Sequence, residues 1–206
     1  MYEVHWTSHT ILVSVPDTPS SARRDFEAAI TIWNQAQSWF VRSYYPKDYP
    51  DDIFTIGLAA QGQSAQVTVQ YVSSLSNGWW AETGRYGASI LMVTEHSEGN
   101  VILATHELGH VLGLGDNSIN GDLERGSDVQ SLYPSTLNLY AVYLEVKCNF
   151  CYTGSDRVTL PSGITYFTWS PNLTAMPEFS NTPTMLGLLL GILCTASRRI
   201  SLKLSS

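Results

Sequence analysis

His106-Glu107-Leu108-Gly109-His110-Val111-Leu112-Gly113-Leu114-Gly115-Asp116 is the stretch on which the reading of this chain turns. Residues four apart share one face of a helix, so His106 and His110 project their imidazoles to the same side, one turn apart. Two such nitrogens can meet a zinc ion at about 2.0–2.1 Å. Glu107 sits one step round from His106 and can reach a water on that metal without taking a ligand position, as a general base should. A catalytic zinc takes three protein ligands and keeps one position open. Gly113 can reverse the chain at little cost, which places Asp116 as the third ligand. The helix around these residues is apolar (Val101, Ile102, Leu103, Leu108, Val111, Leu112). Burying two histidines and a glutamate there without a metal would be costly.

The flanking sequence predicts the scaffold. Thr10–Val15 is β-branched and apolar and stops at Pro16, which reads as a first strand. From Ser21 to Val41, Phe26, Ala29, Ile30, Trp33, Ala36 and Phe40 recur at helical spacing, so one face of that helix is buried. Ile53–Leu58 reads as a second strand. Ala65–Val72 alternates, with Val67, Val69 and Tyr71 on one side, and reads as a strand with one wet face. Ala88–Val93 is a further strand, and a helix over about Val101–Leu112 carries the histidines. Residues 116–133 are polar and irregular. Pro134-Ser135 opens a last helix with Leu137, Tyr140, Ala141 and Leu144 on one face, and Arg157–Leu160 and Ile164–Phe167 are short strand-like pieces. The order is that of an α+β protein with the first two helices covering a sheet.

The motif H-E-L-G-H-V-L-G-L-G-D resembles the metzincin pattern H-E-x-x-H-x-x-G-x-x-H/D, in the less common form that ends in Asp and is similar to snapalysin-like members. The upstream order, with Trp33-Asn34 in the long helix, resembles a matrixin-type catalytic domain over residues 4–146. The resemblance implies a twisted, mostly parallel sheet with two covering helices, an active-site helix at the cleft, and a small irregular C-terminal subdomain with one helix. It implies zinc on His106, His110 and Asp116, Glu107 as the general base, and hydrolysis of peptide bonds in protein or peptide substrates. It also implies that the strand Ala88–Val93 is the cleft edge, where an extended peptide adds. One departure stands out: metzincins carry a methionine turn beneath the metal, and here Ser131-Leu132-Tyr133-Pro134 puts Leu132 where that Met is expected.

Composition bounds the alternatives. The chain has 206 residues, 11 Lys and Arg against 18 Asp and Glu, and a net charge of -7, which leaves no electrostatic footprint for nucleic acid. Cys148 and Cys151 form a lone C-x-x-C, too few for a cysteine zinc site, and read as a local disulfide or two loop thiols. Asp122, Glu124 and Asp128 are loop acids that could take calcium, with nothing further in support. Met1–Trp6 lacks the basic-then-apolar order of a leader.

Near the other end, Met176-Pro177-Glu178-Phe179 precedes an apolar run from Met185 to Ala196 and the basic pair Arg198-Arg199. The run is short of the roughly 20 residues that cross a bilayer, but the order resembles the P-E-F sorting signals of archaeal surface proteins. The expectation is a catalytic domain over 1–160, a polar stalk over 161–183 and an anchor over 184–206. The protein would then sit at the cell surface, attached to the membrane through its tail. A surface binding or structural protein on an impaired metzincin scaffold is the competing reading, favoured by Leu132 and opposed by an intact Glu107. A zinc hydrolase of a non-peptide bond is a third.

Overall fold

The structure is a computed structural model that describes residues 6, 8–51, 53–84, 86–97, 99–126, 129, 131–147 and 158–173. The chain divides into Met1–Leu173 and Thr174–Ser206. Cys148, Cys151, Asp128, Arg157 and the whole tail from Thr174, including the Met176–Phe179 motif and the run from Met185, lie outside the described residues. Among the described residues no helix is long and apolar enough to cross a membrane.

The protein is α+β, with a five-stranded, mostly parallel sheet and several helices. β1 is Thr10–Ser14, α1 Ala22–Tyr44, β2 Thr55–Leu58, β3 Val67–Val72, β4 Ala81–Thr83 and β5 Ser89–Val93. The short α2 (Thr94–Ser97), α3 (Val101–Val111) and α4 (Thr136–Lys147) follow. The strand order is β2-β1-β3-β5-β4. Four strands run parallel, and β4 pairs antiparallel with β5 through Ala81–Met92, Glu82–Leu91 and Thr83–Ile90. β5 is therefore interior, and the expectation that Ala88–Val93 forms the cleft edge is corrected: the edge is β4. Its three residues show no alternation to read, and only their antiparallel pairing with β5 makes them a strand.

α1 ties the layers together. Its buried face comprises Phe26, Ala29, Ile30, Trp33, Ala36 and Phe40, the set that the spacing predicts. Trp33 is fully buried and donates its indole N–H to the Thr105 carbonyl of α3 at 2.8 Å. On the next residue, Asn34 accepts from the Ile56 N–H at 3.0 Å and donates to the Ile56 carbonyl at 2.8 Å. Gln37 Oε1 accepts from the Phe54 N–H. The outer edge of β2 is thus satisfied by α1 side chains rather than by another strand. Trp33→Ala should cost about 3–5 kcal/mol of stability, because it empties a large core site and removes the indole bond to the Thr105 carbonyl. Urea unfolding reads this directly, and a loss below about 1 kcal/mol would contradict the role given to α1.

The segment 158–173 packs on the same unit. Trp169 is 3 % exposed, its N–H donates to the Pro134 carbonyl, and Thr168 bridges to Ser135. Residues 158–173 thus pack with the unit that ends at Leu173. Ser135 and Asn138 cap α4 reciprocally: Ser135 Oγ accepts from the Asn138 N–H, and Asn138 Oδ1 accepts from the Ser135 N–H.

Candidate metal centre

α3 begins where the Asn100 side chain accepts from the Leu103 N–H, satisfying a free helix-end donor. Its entry loop is anchored to α1, since Ser21 Oγ and Asp25 Oδ2 both accept from the Gly99 N–H. The helix ends in a Schellman turn: the Gly113 N–H bonds the His110 carbonyl, the Leu114 N–H bonds the Gly109 carbonyl, and Gly113 has φ +95°. A residue other than glycine would be strained at that φ. The reversal carries Leu114, Gly115 and Asp116 back along the helix.

His106 and His110 are almost fully buried, with their rings 4.5 Å apart. Each ring is oriented by a backbone carbonyl: His106 Nδ1 lies 2.8 Å from the Leu123 oxygen and His110 Nδ1 lies 2.9 Å from the Leu114 oxygen. A carbonyl only accepts, so both Nδ1 atoms carry the proton and both Nε2 atoms keep bare lone pairs. Those two Nε2 atoms lie 3.1 Å apart. Asp116 Oδ1 lies 3.6 Å from the first and 3.5 Å from the second. The Asp116 carboxyl packs against Gly126, where a Cβ would come within 2.7 Å of its Cγ.

On the Nδ1 side stands Glu124, fully buried, with Oε2 3.6 Å from both Nδ1 atoms. Its head group fills the space over Gly109, where a Cβ would overlap Oε1. His106, His110 and Glu124 are buried and close enough together to hold a metal ion. A metal on that side would have to displace both Nδ1–H bonds to the carbonyls. The Nε2 side, with Asp116, requires no such loss.

The sequence expectation of a Leu132 floor is overturned. Leu132 lines a separate depression with Arg24, Ile32 and Trp169, and the side chain behind the two rings is Glu124. Asp122, fully buried, accepts from Asn117 Nδ2, Asn138 Nδ2 and the Glu124 N–H at Oδ1, and from Ser135 Oγ and Tyr166 Oη at Oδ2. That carboxylate is fully engaged in holding the loop to α4.

Glu107 is 3 % exposed, and Thr83 Oγ1 of β4 donates to its Oε2. Burial, opposed by the Thr83 bond, pushes its carboxyl up to about 8. Burial, reinforced by His106, pushes the His110 imidazole down to about 3. His106 is lowered too, again mainly by burial. Both rings are therefore neutral at pH 7, the form a metal requires. The cleft before them has a volume of ≈ 460 Å³ and is lined by β4, Ile102, Leu103 and the exposed Trp79 and Trp80.

A group whose folded pKa lies below its unfolded value stabilises the protein above the unfolded value and loses that contribution as pH falls. For His110 the window runs from 6.5 down to about 3. Glu107, pushed up to about 8, contributes with the opposite sign over the same range, so the His110 part is read against a variant that keeps the acids: between pH 7 and pH 5 the urea midpoint of chelator-treated wild type should shift further toward lower urea than that of chelator-treated His110→Gln. An equal shift in the two proteins would contradict the burial of a neutral imidazole at His110.

No protein-family model matches this chain, and no curated protein matches it either.

Proposed function

We propose that the protein is a zinc-dependent endopeptidase of metzincin type, with His106, His110 and Asp116 as the metal ligands and Glu107 as the general base. The observation that carries the reading is the pair of unprotonated Nε2 atoms 3.1 Å apart and facing Asp116 Oδ1 at 3.6 and 3.5 Å. Two lone pairs so close repel unless a cation lies between them. A tetrahedral ion with legs of about 2.0–2.2 Å has edges of about 3.3–3.6 Å, which these separations approximate. The donor set, two neutral imidazoles and one carboxylate, is that of a catalytic zinc with one position left open. The backbone carbonyls behind the rings fix tautomer and orientation.

Bound zinc would polarise a scissile carbonyl and lower the pKa of a water to about 7. The rest falls to this chain. Glu107 lines the cleft beside the histidines, steadied by Thr83 from the edge strand. It takes the proton of the attacking water and returns it to the leaving amine. A base whose pKa lies near the working pH serves both steps. β4 pairs on one side only, with β5, so an extended peptide can add along its other side by main-chain bonds. Such a peptide would run beside the strand that carries Thr83, the partner of Glu107. The free polypeptide backbone is the common feature such pairing recognises, which favours peptide over other hydrolysable bonds.

The test is zinc content on purification, with the His106→Ala and His110→Ala variants alongside. One zinc per wild-type chain and loss of it in both variants is the expected result. Zinc retained in both variants would remove the site. Secretion and attachment through the tail from Thr174 belong to the same proposal, and cell fractionation of the full chain with and without residues 174–206 checks them.

A further inference from the structure

Glu124 is a buried acid beside the two histidines that the mechanism does not use. It is fully buried, and neither of its carboxyl oxygens accepts a hydrogen bond. Both Nδ1–H groups nearby already donate to carbonyls, so the 3.6 Å approaches of Oε2 are electrostatic contacts only. The charged side chains that act on it, Asp122, Asp116 and Glu107, are all acids. A carboxyl held without donors among other acids is a costly arrangement. Yet the fold makes room for it: Gly109, between the two histidines on α3, lacks the Cβ that would overlap Oε1. An apolar side chain would fill the same floor without that cost.

Positive charge would offset that cost, and the Nε2 side of the same two rings is placed to receive it. We propose that Glu124 is a positioning counter-anion for the cation held by His106 and His110. It raises the affinity of the imidazole pair for a divalent metal at the expense of the metal-free protein's stability. The inference rests on the zinc-site reading above. The carboxylate acts through the rings: it favours electron density on Nε2 and attracts the cation across a dry, low-dielectric layer. The metal-free protein bears the cost of a fully buried carboxyl without donors, and the metal offsets it.

Glu124→Gln keeps shape and removes the charge. The proposal expects two effects of opposite sign: zinc affinity, read by competition with a chromophoric chelator, weakens by about 10–100-fold, while the melting temperature of the metal-free protein rises. Glu124→Met, closer to an apolar floor, should move both in the same directions and covers the case that the Gln variant fails to fold. Glu124→Asp, which keeps the charge, should hold zinc more tightly than either. A merely structural Glu124 would show the reverse pattern, a lower metal-free melting temperature with unchanged zinc affinity, and that would overturn the proposal. If the wild-type chain binds no zinc at all, the site reading fails and this inference with it. If wild type and Glu124→Gln bind zinc equally, this inference alone fails.

Discussion

Replacing Glu107 with Gln is expected to cut peptide hydrolysis by about 100- to 10,000-fold while zinc content stays at its wild-type value. The separation of the two readouts is the point. Glu107 faces the cleft one residue from His106, but the atoms gathered at the Nε2 side are those of His106, His110 and Asp116. Gln retains the shape and can keep the Thr83 contact, yet it cannot take a proton from water. The loss corresponds to about 2.7–5.5 kcal/mol of transition-state stabilisation. Folding should hold or improve in the metal-free variant, because burial holds the acid far above its ordinary range and removing the ionisable group removes that cost. Activity within tenfold of wild type would sink the assignment of the base. Joint loss of zinc and activity would instead make Glu107 a ligand.

Asp122→Ala should produce the largest loss of stability of any single change in the loop, about 3 kcal/mol or more. The carboxylate takes five hydrogen bonds from Asn117, Glu124, Ser135, Asn138 and Tyr166, and no solvent reaches it. Its removal leaves buried donors without acceptors on the loop, on α4 and on the segment around Tyr166. The damage should also travel to the centre. The Leu123 carbonyl that orients His106 and the Glu124 side chain behind both rings sit directly after Asp122, so zinc affinity should fall with stability. Chemical unfolding of the zinc-loaded and metal-free proteins checks both effects. A loss below about 1 kcal/mol would show that Asp122 is not the knot of this loop.

The contrast between these two residues marks what the sequence could show. Glu107, the two histidines and the turn at Gly113 lie within one helix and its cap, where spacing alone fixes geometry. α1 was equally legible, because its buried face repeats every three or four residues. β4 was not, since Ala81, Glu82 and Thr83 carry no period and become an edge only through pairing with β5. The site's floor was misread for a similar reason. Family spacing points to Leu132, but the path of the loop is set by the bonds of Asp122, which deliver Glu124 to the rings. No local pattern announces a hub made from residues 117, 124, 135, 138 and 166. Gly109 did carry a signal: a glycine inside a helix is unfavourable by about 1 kcal/mol, and its reason is the Glu124 carboxyl above it. The packing of Trp169 is equally hard to read locally, because it is set by partners far away in the chain.

The central claim is that this cleft hydrolyses peptide bonds with a metal held at the Nε2 atoms of His106 and His110. It is tested most directly by titrating zinc into chelator-treated protein while following casein hydrolysis. The expected result is no hydrolysis without metal and a rate that rises with added zinc and levels off at one ion per chain. Full zinc occupancy with no hydrolysis, or hydrolysis that persists in the chelated protein, would contradict it.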